Sequence, residues 1–200
     1  METQVNCILF GGPGPFNTIR TLELAANRAK ELSIETLLVA TSSGATGLEA
    51  VRRFSGRRVI AVTHSTGFTG ANVQELRPEC RQGIEEAGGC ILTCQHAFGG
   101  VGRAVRRKLD TYQIDEIMAF TLRLLGEGFK VVVEIALMAA DAGLVRTDVP
   151  VISIAGTGRG ADTAVVLRPA NAQSFFDLRL LEIICLPAPA HTLFQVGHQG

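Results

Sequence analysis

The sequence predicts a single α/β domain built in three layers, α/β/α. Its sheet is expected to be mostly parallel and to end in a C-terminal antiparallel hairpin. Three observations carry this. Short apolar runs rich in β-branched residues alternate with longer segments of helical period. Those runs are apolar at nearly every position, as strands covered on both faces are. Two late runs, Val151–Ala155 and Thr163–Leu167, are too close in sequence for a helical crossover and must pair antiparallel.

Taken in order, Val5–Phe10 reads as the first strand. Asn17–Leu32 follows as a helix, with Ile19, Leu22, Ala26, Ala29 and Leu32 at helical spacing and Asn17 as its N-cap. Thr36–Ala40 is the second strand, Gly44–Phe54 the second helix and Arg58–Thr63 the third strand. Asn72–Ala87 reads as helical, kinked or divided at Pro78. Cys90–Cys94 is the fourth strand, and Gly99–Lys108 a glycine turn entering a basic helix. Helices at Ile114–Leu125 and Val131–Leu144 precede the hairpin, and Leu178–Leu186 is expected as an edge strand. Residues 1–187 make one domain, with no repeat or linker to divide it, and residues 188–200 are expected to be a loosely ordered tail.

Composition narrows the function. Only 19% of the residues are charged, which suits elements buried on more than one side. Nineteen basic and nineteen acidic residues cancel, so neither nucleic acid nor an anionic membrane is expected as a partner, and any anion site must be local. With no Trp and one Tyr, a stacking platform for single strands is not expected either. The cysteines Cys7, Cys80, Cys90, Cys94 and Cys185 are odd in number and scattered, which is no disulfide framework and points to a reducing, cytoplasmic setting. The run Val5–Phe10 breaks at Gly11-Gly12 and reads as a strand rather than a signal peptide. Val131–Ala140 contains Glu134 and is too short to span a bilayer. The low charge and this apolar helix are compatible with a homo-oligomer, as they are with burial inside one subunit.

In a parallel α/β sheet, ligands bind beyond the carboxyl ends of the strands. Four such ends carry small, hydroxyl or imidazole groups: Gly11–Pro15, Thr41–Gly44, Thr63–Phe68, and Gln95-His96 followed by Gly99–Arg103. The turn Thr41-Ser42-Ser43-Gly44-Ala45-Thr46-Gly47 leads straight into a helix. Its small residues let backbone N–H groups approach an oxyanion, which makes it the best candidate for holding a phosphate. An ordinary N-cap is the plainer reading of the same hydroxyls. It is not a P-loop, because Gly-Lys-Ser/Thr is absent, and Gly-x-Ser-x-Gly is not matched. Gly156–Asp162 spaces its glycines as Gly-x-Gly-x-Gly and precedes a strand, so it is no dinucleotide fingerprint. Its Arg159 could still close over a phosphate.

Other constellations fail on geometry. Cys90 and Cys94 on one strand would lie about 13 Å apart, too far to share a metal, and no metal site is expected. Glu134 and Asp141 share a helix face about 10 Å apart and make no dyad; burial of either would demand a partner. His64 and His96 end different strands and are weak candidates for proton transfer.

Taken together, several segments resemble one family. These are Pro13-Gly14-Pro15 with Asn17-Thr18, Ala40–Gly44 with Thr46, Val62-Thr63-His64 with Thr66-Gly67-Phe68, Val133–Gly143, Gly158–Val166 and Glu182–Pro187. The chain looks like the small archaeal and bacterial proteins described as pyruvate kinase C-terminal-domain-like. The resemblance covers roughly residues 8 to 187 and stops at Ala188–Gly200. It implies the three-layer fold. In pyruvate kinase the matching turn and late hairpin hold the phosphates of a sugar bisphosphate effector. In the stand-alone family the associated ligand is flavin mononucleotide, FMN, and the catalytic barrel is missing, so kinase activity is not implied. On this resemblance Thr41, Ser42, Ser43, Gly44 and Thr46 would take the phosphate. Thr63, Gly67 and Phe68 would line the ribityl or ring region, and Arg159, Gly160, Ala161, Asp162 and Thr163 would close over it. The expected function is binding of a small phosphorylated ligand. A phosphosugar-sensing regulatory module and a flavin-dependent redox enzyme are the alternatives.

Overall fold

A computed structural model describes Glu2 and residues 4–188. Its single sheet has the order β1-β7-β6-β5-β2-β3-β4. The strands are β1 (Ile8–Phe10), β2 (Thr36–Ala40), β3 (Arg58–Val62), β4 (Cys90–Leu92), β5 (Val151–Ala155), β6 (Thr163–Arg168) and β7 (Arg179–Pro187). The helices are α1 (Thr18–Glu31), α2 (Ala45–Arg53), α3 (Pro78–Glu86), α4 (Val101–Leu109), α5 (Ile114–Leu122) and α6 (Glu127–Asp141). All neighbouring strands pair parallel except β6, which runs against both β5 and β7. The three-layer α/β fold and its antiparallel C-terminal hairpin are therefore as the sequence predicts.

The uninterrupted apolar runs are explained by the pleat, which sends alternate residues to opposite faces. Leu37, Val39, Val59, Ala61, Ile152 and Ile154 face one core, against Leu22, Ala25 and Ala29 of α1 and Val51 of α2. Leu38, Ile60, Val62, Val151 and Val165 face the other, against Val132, Ile135, Ala136 and Ala139 of α6. Each fully buried Leu or Ile contributes roughly 1.5–3 kcal/mol over its exposed state. Ser153, the one polar residue of β5, is satisfied by donating to Val132 O at 2.8 Å, which ties the strand to α6.

Several boundaries differ from expectation. Residues 5–7 are not strand; β1 starts at Ile8 because only β7 lies beside it. Asn17 does not cap α1 with its side chain, which instead donates to Gly12 O at 2.8 Å. The helix expected over Asn72–Ala87 starts at Pro78. Proline fits the first helical position and forces Arg77 into extended backbone. Cys94 lies beyond β4. α6 starts four residues before Val131, at Glu127 after Gly126. β7 is interior rather than an edge strand, since β1 returns to pair outside it. Ala188 N–H donates to Phe10 O at 2.7 Å, and the rest of the expected tail lies outside the described residues. Among the described residues no helix is long and apolar enough to cross a membrane.

The reversal of β6 matters for the site. Ala155 at the end of β5 pairs with Thr163 at the start of β6. The hairpin 156–162 therefore projects from the same edge of the sheet as the ends of β2 and β3.

Candidate functional site

A cleft of about 1000 Å³ lies along that edge. On one side is the start of α2. Thr41 Oγ1 accepts the Gly47 N–H at 3.3 Å, and Gly44 turns the chain with φ +93°. The first N–H groups of the helix, those of Ala45 and Thr46, have no intrahelical acceptor. Gly44 is also required by packing, because a Cβ there would overlap Cys80 Cβ. Ser42, Ser43 and Thr46 line the cleft.

Facing α2 are Gly156, Gly158, Arg159 and Gly160 of the hairpin. The hairpin is fastened from behind. Asp162 Oδ2 accepts from Gly14 N–H at 3.1 Å and Thr157 N–H at 3.0 Å, and its Oδ1 accepts from the Thr163 hydroxyl at 2.8 Å. Thr18 Oγ1 accepts the Ala161 N–H at 3.0 Å. Gly160 sits at φ +70°, where a Cβ would collide with that hydroxyl. The β1–α1 loop and the hairpin are thus one unit.

Between the two walls, Thr63, His64, Phe68 and His96 meet Val131, Ile135 and Met138 of α6. Thr63 is buried, and its hydroxyl is shared with Thr93 Oγ1 at 2.6 Å, bridging the ends of β3 and β4. Phe68 stacks on His96 with ring centroids 4.9 Å apart, and His64 lies 4.2 Å from Phe68. His96 Nε2 accepts the Ser65 N–H at 3.3 Å, which places its proton on Nδ1, 3.8 Å from Glu134 Oε2. His64 Nδ1 is 2.7 Å from Glu75 Oε2, so its Nε2 is the ring nitrogen left for the cleft.

Glu134 is 2% exposed and bonds Lys130, itself 4% exposed, as well as the Phe98 N–H at 3.0 Å. Burial pushes its carboxyl up, but His96 and Lys130 outweigh this and hold it at about 2. Among the described residues no group of His, Cys, Asp or Glu side chains gathers as metal ligands would.

The chain matches the family described as pyruvate kinase, alpha/beta domain, over residues 20–167. It belongs to that family. Cryptosporidium parvum pyruvate kinase is similar at 13% identity and TM-score 0.38, over 76% of this chain and 22% of that one. The same enzyme in complex with ADP is similar at 12% identity and TM-score 0.37, over 82% of this chain and 23% of that one. A mutant O-ureido-L-serine synthase with O-ureido-L-serine bound reaches 18% identity and TM-score 0.29, over 72% of this chain and 50% of that one. The chain thus spans less than a quarter of the pyruvate kinase chains it matches.

In this pyruvate kinase alpha/beta domain, the structure gathers most of the residues singled out from sequence. Thr41, Ser42, Ser43, Thr46, Thr63, Phe68, Arg159 and Gly160 line the cleft, as do His64 and His96. Gly44, Gly67, Ala161, Asp162 and Thr163 do not. Gly44 packs on α3, Gly67 donates to Val73 O in the loop after β3, and the other three are buried behind the hairpin. Sequence reasoning missed Lys130, Glu75, Arg123 and Glu127, which also line it. The spacing of Lys130 and Glu134, four apart, was the available signal. It is visible only when the helix is started before Val131. Asp141, on the same helix, accepts from Asn171 Nδ2 and Ala172 N–H and meets a loop.

Proposed function

We propose that the cleft binds a small phosphorylated ligand, and that this ligand is flavin mononucleotide. One observation carries the reading. Among the described residues every carboxylate lining the cleft has a cationic or imidazole partner: Glu49 with Arg53, Glu75 with His64, Glu127 with Arg123 and Glu134 with Lys130. Arg103 and Arg159 also line it and have no carboxylate partner among the described residues. The surplus is positive, and it lies in the same cleft as the open N–H groups of α2. A phosphate answers both, through charge-assisted bonds and the helix N-terminus.

The rest of the lining favours a flat ring over a second phosphate. Ser42, Ser43, Thr46 and Arg159 would hold the phosphate, Thr63 would lie beside the ribityl chain, and the stacked pair Phe68 and His96 would give the ring an aromatic wall beside Val131, Ile135 and Met138. FMN bound there would supply redox chemistry, and the protein would supply position and water exclusion.

The test is titration of the purified protein with FMN, read by flavin fluorescence and melting temperature. Quenching and a rise in Tm are expected. Riboflavin, which lacks the phosphate, should bind at least about tenfold more weakly, and Arg159→Ala should remove most of that difference. Indifference to flavin together with stabilisation by sugar bisphosphates would replace this reading with a phosphosugar-sensing one.

A further inference from the structure

Beside the main cleft, between α4 and α5, lies a second hollow of about 290 Å³. Four arginines line it: Arg103, Arg106, Arg107 and Arg123. Among the described residues a single carboxylate, Glu116, faces them, and Phe98 and Phe120 form an apolar wall. Arg106 Nε donates to Glu116 Oε1 at 2.7 Å, and Arg123 pairs with Glu127. Arg103 and Arg107 have no carboxylate partner among the described residues. Arg103 is braced over the Phe68 ring at 5.2 Å, so it is held in place without one.

A purely structural arginine cluster would be matched by the acids available to it. Here Arg106 and Arg123 are matched, and Arg103 and Arg107 are left over. Glu116 is 7% exposed and takes only the Nε–H of Arg106, its second oxygen, Oε2, having no hydrogen-bond partner among the described residues, so the outer nitrogens of Arg106 are not spent on it. Four guanidinium groups around one small hollow, two of them paired to a carboxylate, leave a positive surplus of two, which an anion between them would offset. We propose that this hollow is an anion subsite, taking a phosphate or carboxylate group of a small molecule. It shares Arg103 and Arg123 with the main cleft, whereas Arg106 and Arg107 line it alone. The group could be the far end of the cleft's ligand or a separate molecule, and the chemistry that recognises it is the same.

The test is a titration of the isotope-labelled full chain with inorganic phosphate at constant ionic strength. Amide shifts of Glu116 and Ala119 report the hollow, and those of Ala45 and Thr46 report the cleft. Saturable shifts at Glu116 and Ala119 are expected. Arg107→Ala, on an exposed residue, should weaken them about tenfold, the effect of one charge-assisted hydrogen bond. Glu116→Gln should tighten them several-fold by removing the opposing charge, which a merely structural Glu116 would not do. Shifts that fail to saturate, that sodium chloride reproduces, or that ignore Arg107→Ala would overturn the proposal. Failure confined to Ala45 and Thr46 would instead count against the phosphate reading of the cleft. Repeating the titration with saturating FMN separates the sources, since competition at Glu116 means one ligand spans both and independence means a second anion. The subsite stands in either case.

Discussion

Glu134 and Lys130 sit in the cleft wall at a cost. Burying two charges is expensive, and their attraction repays it only while both are present. Glu134 has its carboxyl at about 2, against an ordinary value of 4.5. A folded-state value below the unfolded one stabilises above the unfolded value, and that contribution is lost as pH falls. Between pH 4.5 and 2 the protein should therefore lose on the order of 3 kcal/mol through this group. Glu134→Gln should cost about 3–5 kcal/mol at neutral pH by stranding Lys130. It should also remove that acid-limb dependence. Urea unfolding of both proteins across the range checks it, and parallel acid limbs would refute it. The two histidines divide differently. His96 gives one nitrogen to the Ser65 N–H and turns the other to Glu134, so it orients the wall. His64, held by Glu75, keeps a nitrogen for the cleft. Nothing in the sequence separates these roles, because each depends on a partner brought from another loop or helix.

Among the elements, the entry into α2 was the most legible. A strand followed by Thr-Ser-Ser-Gly and a helical pattern describes its own turn, since hydroxyls and glycine serve local geometry. Gly44 has a second reason to be glycine that only packing reveals. Its φ of +93° costs any other residue about 1–2 kcal/mol, and a Cβ would also collide with Leu76 and Cys80 of the neighbouring segment. Gly44→Ala should therefore destabilise by about 2–4 kcal/mol, strain and overpacking together. A thermal melt measures the loss. Because the same turn aims the α2 N–H groups, ligand affinity should fall with it. A variant as stable as the parent would mean that α3 gives way easily. The starts of α3 and α6 were harder to read. Pro78 was visible, but a proline inside an apolar periodic stretch suits a kink and a first turn equally. Glu127–Lys130 hides its helical character behind Gly128, which is glycine because Thr163 and Asp162 pack on that spot.

At the scale of the whole molecule, the site exists because one strand runs backwards. A parallel sheet alone puts the ends of β2 and β3 at one edge. β6, running against β5, returns the hairpin and Arg159 to that edge as a facing wall. The sequence predicted the reversal from the short spacing of two strands, but it could not say what holds the hairpin. That is Asp162, which the family resemblance implies as a residue closing over the ligand and which lies behind the hairpin, fully buried. Its carboxylate ties Gly14, Thr157 and Thr163 together, so it sets the distance between the hairpin and α1 without lining the cleft. Asp162→Asn keeps the shape but removes the charge from all three bonds, and its amide N–H must take the place of Oδ1, with the Thr163 hydroxyl turning to accept. A loss of about 3 kcal/mol in stability is expected from the charge-assisted bonds. Affinity for the proposed phosphorylated ligand should fall about tenfold as Arg159 loses its position, even though no contact to that ligand would have been removed. Ligand at about a hundred times its Kd should raise the stability of the parent by about 2.7 kcal/mol, or roughly 5–10 °C in Tm for a chain of this size. At the same ligand concentration the variant should gain about half of that. Equal gains would mean that the hairpin wall takes no part in binding, and the reversal of β6 would then be a feature of the fold alone.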